Sequence, residues 1–148
     1  MATFTQIYYH LIFATKNRRP VLAESRRDDL FRYIQGIAHR RHCRLYEING
    51  ADDHLHLLTH LHPSLCLANL VKDIKIGSGN WIRENAVFPG FDQWQDGYAA
   101  ITVSPRLREP VERYIRNQPE HHREASFKDE LRALLIAAGI DFEEKYLE

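Results

Sequence analysis

Two histidines one residue apart, His54-Leu55-His56, are the first side chains in this sequence whose type and spacing suit chemistry. The run from Asp53 to Leu61 is apolar and branched enough to read as a strand, where residues two apart share a face. His54 and His56 then lie with Leu58, and Leu55 and Leu57 point the other way. Two neutral imidazoles so placed can both bind one divalent metal. They equally suit a polar face on a half-hydrated sheet. A second pair lies about sixty residues on, in Val111 to Gln118. Helical spacing turns Tyr114 and Gln118, four apart, to the same side. An amide oxygen is a hard ligand suited to Mg2+ or Mn2+, and a phenol is a nucleophile once deprotonated. Tyr114, beside Val111 and Ile115, also reads as a core aromatic. Pro119 lacks a backbone donor and is expected to end or bend this helix.

The elements that must position these groups follow from periodicity. Gln6 to Thr15 is rich in branched and aromatic residues and reads as a buried strand. Ser25 to Arg41 places Leu30, Phe31, Ile34, Ile37 and Ala38 at helical spacing, with Ser25 as the expected N-cap. Arg44 to Asn49 is a second strand, and Asn49-Gly50, extended by Ala51-Asp52, supplies the turn into the histidine strand. A helix after Pro63-Ser64 carries Leu67, Leu70, Val71 and Ile74 on one face, and Gly77-Ser78-Gly79 is expected to weaken or end it. Phe91 to Trp94 and Tyr98 to Ser104 read as two short strands joined at Asp96-Gly97. Leu107 to Gln118 and Phe127 to Ala138 read as helices, the last stopped by Gly139. This order is β-α-β-β-α-β with additions, the split antiparallel sheet of ferredoxin-like or RRM-like α+β folds. The histidine pair then falls on a central strand. Helices are expected to cover one face of the sheet and to leave the other free for function.

Composition sets limits on partners. With 20 basic and 20 acidic residues in 148, a wholly basic nucleic-acid binder is excluded, though a local basic face is not. A hydrophobic share of 44% and a charged share of 27% fit an ordinary globular chain. Cys43 and Cys66 form neither a disulfide framework nor a zinc knuckle. No signal peptide or membrane-length apolar run is present, so a cytoplasmic protein with no membrane partner is expected.

His54-Leu55-His56 followed by Tyr114-Ile115-Arg116-Asn117-Gln118 resembles the single-tyrosine HUH transposases. These include the small insertion-sequence transposases and the REP-associated tyrosine transposases. Supporting echoes are Phe13-Ala14-Thr15-Lys16-Asn17-Arg18, Trp94-Gln95-Asp96-Gly97-Tyr98 and Gln118-Pro119-Glu120-His121-His122, so the likeness runs from about Ile7 to His122. It implies one domain over residues 1–148, with a core of about 6–122 and a helical extension of about 123–148. It implies that His54, His56 and Gln118 hold Mg2+ or Mn2+. It further implies that Tyr114 cuts one DNA strand, leaving a 5′-phosphotyrosine and a free 3′-hydroxyl. Family members bind single-stranded DNA carrying a hairpin and work as homodimers in which the tyrosine helix can complete the partner's site. For the local basic face, Lys16, Arg18, Arg19, Lys72, Lys75 and Arg83 are the candidates, each of which also reads as solvated surface. His10, His60, His62, His121 and His122 read as surface or locally hydrogen-bonding residues, and Tyr8, Tyr9 and Tyr98 as packing residues. Three other readings compete with the transposase. One is a domesticated, non-mobile relative that binds or processes repeated DNA hairpins. Another is a non-catalytic nucleic-acid-binding module, and the third a metal-dependent hydrolase of small phosphates.

Overall fold

A computed structural model describes residues 1–148. Four strands, β1 (Tyr8–Ala14), β2 (Leu45–Gly50), β3 (His54–His60) and β4 (Ala99–Val103), form one sheet in the order β2-β3-β1-β4. Every pairing is antiparallel. With α1 (Glu24–Arg40) and α2 (Leu67–Glu84) as crossovers, this is the split β-α-β-β-α-β topology expected from the sequence. Three more helices follow: α3 (Arg108–Arg116), α4 (Gln118–Glu124) and α5 (Phe127–Ala137).

Strand alternation sorts the side chains into two cores. Leu11 and Phe13 of β1 and Leu55 and Leu57 of β3 pack with Leu30, Ile34 and Ile37 of α1 and Leu70, Ile74 and Ile82 of α2. On the opposite face, Ile12 and Ala14 meet Phe127, Leu131 and Leu135 of α5, and Tyr8 and Leu58 meet Ile115 of α3. The sheet is therefore covered on both sides, and the face expected to be free lies under α3, α4 and α5. The apolar stripe of α5, read correctly as a helix, is what buries it. Ile74 is fully buried between α2 and the sheet, so Ile74→Ala should cost about 2–5 kcal/mol in a urea unfolding titration.

Local chemistry explains the other departures from the sequence pattern. Gly77 and Gly79 do not interrupt α2. A Cβ at Gly77 would lie 2.9 Å from Cδ1 of Ile37, so this glycine lets α1 and α2 approach closely. Between them, Ser78 donates to the Ile74 carbonyl at 2.6 Å and accepts from Nε1 of Trp94 at 3.0 Å. That bond and an edge-on contact with Phe13 sink Trp94 into the core, so Phe91 to Trp94 is an anchored loop with one bridge to Thr15 rather than a strand. Ser25 lies inside α1, whose N-cap is Ala23, and Nε of Arg27 takes the Leu22 carbonyl at the helix entrance. Gly50 is the last residue of β2, and the turn is made by Ala51 to Asp53.

The helix read as Leu107 to Gln118 is two helices. It breaks at Asn117, and Pro119 sits in the first turn of α4, where its missing N–H costs nothing. Gln118 thus belongs to a different helix from Tyr114.

Candidate active site

His54 and His56 leave β3 on the face covered by α3–α5 and are fully buried. Each has one ring nitrogen held from behind. Nδ1 of His54 meets Oδ1 of Asp53 at 2.7 Å, and Nδ1 of His56 meets Nε2 of His10 at 2.8 Å. These partners fix the rings and aim both Nε2 atoms at one point, as supporting hydrogen bonds do for metal-binding histidines. The register explains His10: on β1 it stands opposite Leu58, one same-face step along from His56. Of the two expectations for it, surface or hydrogen-bonding, the second holds: the ring is buried and hydrogen-bonded.

Gln118 and Tyr114 reach the same point. Oε1 of Gln118 lies 3.0 Å from Nε2 of His54. Its amide nitrogen donates to Oε2 of Glu130 at 2.9 Å, and the Tyr114 hydroxyl donates to that same oxygen. The other Glu130 oxygen is 3.1 Å from Nε2 of His56 and 3.5 Å from Nε2 of His54. The break at Asn117 does not separate the pair, because α3 and α4 both turn toward this carboxylate. Aromatic packing holds the arrangement. Phe127 stacks on His54 with centroids 4.2 Å apart, and His121 stacks on Tyr114 at 4.6 Å.

Protonation follows from the partners. Asp53 and Gln118 both present acceptors to His54, so both its nitrogens carry hydrogen. Burial opposes that charge, but the bonds to Asp53, Glu130 and Gln118 outweigh it and push His54 up to about 9. Burial lowers His56 to about 4 despite Glu130, leaving it neutral, with Nε2–H toward the carboxylate. His10 is lowered to about 3 by burial and by His56. Burial works against the Glu130 charge, yet the bonds from His54, His56 and Tyr114 hold it well below the usual carboxylate range. Burial and Glu130 together raise the Tyr114 phenol, which keeps its proton here.

Once an entering ion displaces the Nε2 protons of His54 and His56, the donor set at this point comprises two imidazole nitrogens, an amide oxygen and a carboxylate oxygen. That mixture of borderline and hard ligands suits Mn2+ or Mg2+. The ligating atoms of His54, His56 and Glu130 all lie within 4.8 Å of one another. The residues present fit such an ion.

The basic candidates lie elsewhere and divide into three sets. Lys16, Lys75 and Arg83 gather around the loop 92–97: Lys16 pairs with the Asp92 carboxylate at 3.3 Å, Arg83 takes the Asp92 carbonyl, and Lys75 takes those of Gln95 and Gly97. Arg18 is half-buried, bonded to the Leu147 carbonyl and lying over the Phe127 ring at 4.4 Å. Arg19 and Lys72 are exposed. Asp53, His10 and Glu130 had no role in the sequence reading. Asp53 adjoins the motif and Glu130 interrupts the apolar stripe of α5, so both left a signal; His10 needed the strand register.

Known proteins resemble this chain in sequence and fold. Residues 3–118 match the family described as "Transposase IS200 like". The ISDra2 transposase TnpA of Deinococcus radiodurans is 29% identical over 120 residues, covering 76% of this chain and 84% of that protein. The transposase for insertion sequence element IS200 of Salmonella typhimurium is 23% identical over 117 residues, 76% of each chain. A crystal structure of a candidate transposase from Deinococcus radiodurans superposes with a TM-score of 0.62 at 30% identity, over 80% of this chain and 95% of that one. A REP-associated tyrosine transposase bound to a REP hairpin gives a TM-score of 0.60 at 15% identity, over 82% and 74%, and shares the fold.

Proposed function

The chain belongs to the IS200-like transposase family, and on that premise we propose that it cuts and rejoins single-stranded DNA at hairpin-bearing ends through a phosphotyrosine on Tyr114. One observation carries the proposal: within a single chain, the Tyr114 hydroxyl, Nε2 of His54 and of His56, and the amide nitrogen of Gln118 converge on the Glu130 carboxylate, with Oε1 of Gln118 beside Nε2 of His54. Binding alone has no use for a nucleophile set beside a ligand cluster.

In this reading His54, His56 and Gln118 hold Mg2+ or Mn2+, which when bound polarises the phosphoryl oxygens and offsets charge developing on them. Asp53 and His10 keep the two rings aimed. The Tyr114 oxygen, once free of its proton, attacks the scissile phosphorus in line. The bond to the 3′-oxygen breaks, the 5′-phosphate becomes an ester of Tyr114, and the departing 3′-oxygen takes up a proton from solvent, to which the phenol gave its own. Because the ester preserves the phosphodiester's energy, the same 3′-hydroxyl or another can reverse the step. A solved relative is described as bound to a REP hairpin, which supports a hairpin substrate here. Arg19 and Lys72, with the cations around loop 92–97, supply phosphate contacts.

A homodimer and a cytoplasmic location form part of the proposal. No helix is long and apolar enough to cross a membrane.

The test uses an end-labelled strand carrying a hairpin, incubated with Mn2+. Expected products are an upstream fragment ending in a free 3′-hydroxyl and a downstream fragment linked to the protein through its 5′-phosphate, the link surviving denaturant. Fragments with both ends free would point to hydrolysis and sink the proposal. The positioning role of Asp53 has its own check: Asp53→Asn should lower Mn2+ affinity about 10–100-fold in titration calorimetry. Unchanged affinity would remove Asp53 from the site.

A further inference from the structure

We propose that Glu130 is itself a ligand of the divalent ion, delivered by α5, and that it occupies the position a DNA phosphate must take. This rests on the reading of His54, His56 and Gln118 as metal ligands. Glu130 lies outside residues 3–118, the span matched by the family.

The first argument is the cost of its burial. Phe127, Leu131 and Leu135 form the apolar stripe by which α5 covers Ile12 and Ala14, and Glu130 interrupts that buried side with a side chain only 10% exposed. A carboxylate is tolerated there only when fully partnered. Four residues supply the partners, and they are His54, His56, Gln118 and Tyr114. The second argument is spacing. Neighbouring ligands on an octahedral ion with bonds of about 2.1 Å lie about 3.0 Å apart. Oε1 of Glu130 stands 3.1 Å from Nε2 of His56 and 3.5 Å from Nε2 of His54, while Oε1 of Gln118 stands 3.0 Å from His54. Two of these three separations match those of neighbouring ligands on one ion, and the third is within about half an ångström of it. The third is substitution. A carboxylate oxygen is a hard anionic ligand of the same kind as a phosphate oxygen. Glu130 also holds the Tyr114 hydroxyl, the group that has to face phosphorus. The acid and the scissile phosphate therefore compete for one place, and DNA must displace Glu130 to meet Tyr114.

The first turn of α5 is secured by Ser126, whose hydroxyl accepts from the Asp129 N–H, by Phe127 stacked on His54, and by Arg18 over Phe127. The residue is thus presented by a capped, packed helix rather than by a loose tail.

The test is Mn2+ binding by the full chain without DNA, comparing wild type, Glu130→Gln and His56→Ala, with circular dichroism to verify folding. Glu130→Gln keeps the size of the side chain and should bind Mn2+ at least ~10-fold more weakly. His56→Ala should lose the site. Crystals of wild type soaked in Mn2+ should place the anomalous peak about 2.2 Å from Oε1 of Glu130. Binding that His56→Ala destroys but Glu130→Gln leaves intact, or a peak beyond bonding distance of Glu130, overturns this inference alone. Wild type that takes up no Mn2+ overturns it together with the metal reading beneath it.

Discussion

Replacing Tyr114 with Phe should abolish the protein–DNA adduct and lower strand cleavage by at least about 10³-fold, the scale on which a lost nucleophile registers. The substitution is close to a single-atom test. The ring of Tyr114 is stacked on His121 and meets His10 and His56 edge-on, and all three contacts remain in Phe. What is lost is the oxygen and its bond to Glu130, and Glu130 keeps Gln118 and His56 as donors. Folding and hairpin affinity should therefore be nearly unchanged, as measured by urea titration and by a mobility shift. Residual cleavage at a tenth of the wild-type rate would assign the chemistry to some other group.

The second large effect belongs to His56. His56→Ala should remove Mn2+ binding and depress cleavage about 10²–10³-fold, the range in which removal of one transition-state-stabilising group falls. It should also destabilise the fold, because His10 and Glu130 each lose a buried partner. A buried group left unpaired costs about 1–3 kcal/mol. Comparing the loss of activity at a temperature where the variant is folded with the shift of the urea midpoint separates the two effects. Excess Mn2+ should not rescue it. Full cleavage by folded His56→Ala would take this histidine out of catalysis.

How far the site could be read from sequence depends on which interaction places each residue. His54 and His56 were legible because strand alternation is local, and it put them on one face whatever surrounds them. The β-α-β-β-α-β order was legible for the same reason, since each element carries its own period. Gln118 was reached for an incomplete reason. Helical spacing joined it to Tyr114, but the chain breaks at Asn117 and a shared carboxylate makes the junction instead. Gly77 and Gly79 misled because glycine's two uses, breaking a helix and letting another approach, look alike in sequence; the side chain of Ile37 decides between them. The covering of the second sheet face is tertiary. The apolar stripe of α5 was visible, and the surface it would bury was not. His10 lies furthest from sequence logic, because its role exists only once β1 pairs with β3 in this register.

Isolating the denaturant-resistant product of wild type and a hairpin-bearing strand with Mn2+, digesting it, and mapping the nucleotide-bearing peptide by mass spectrometry tests the proposed site most directly. The nucleotide should be found on Tyr114, joined through a 5′-phosphate, with a matching 3′-hydroxyl fragment released. A nucleotide on any other residue, or cleavage with no peptide modified, would contradict the pairing of Tyr114 with His54, His56 and Gln118.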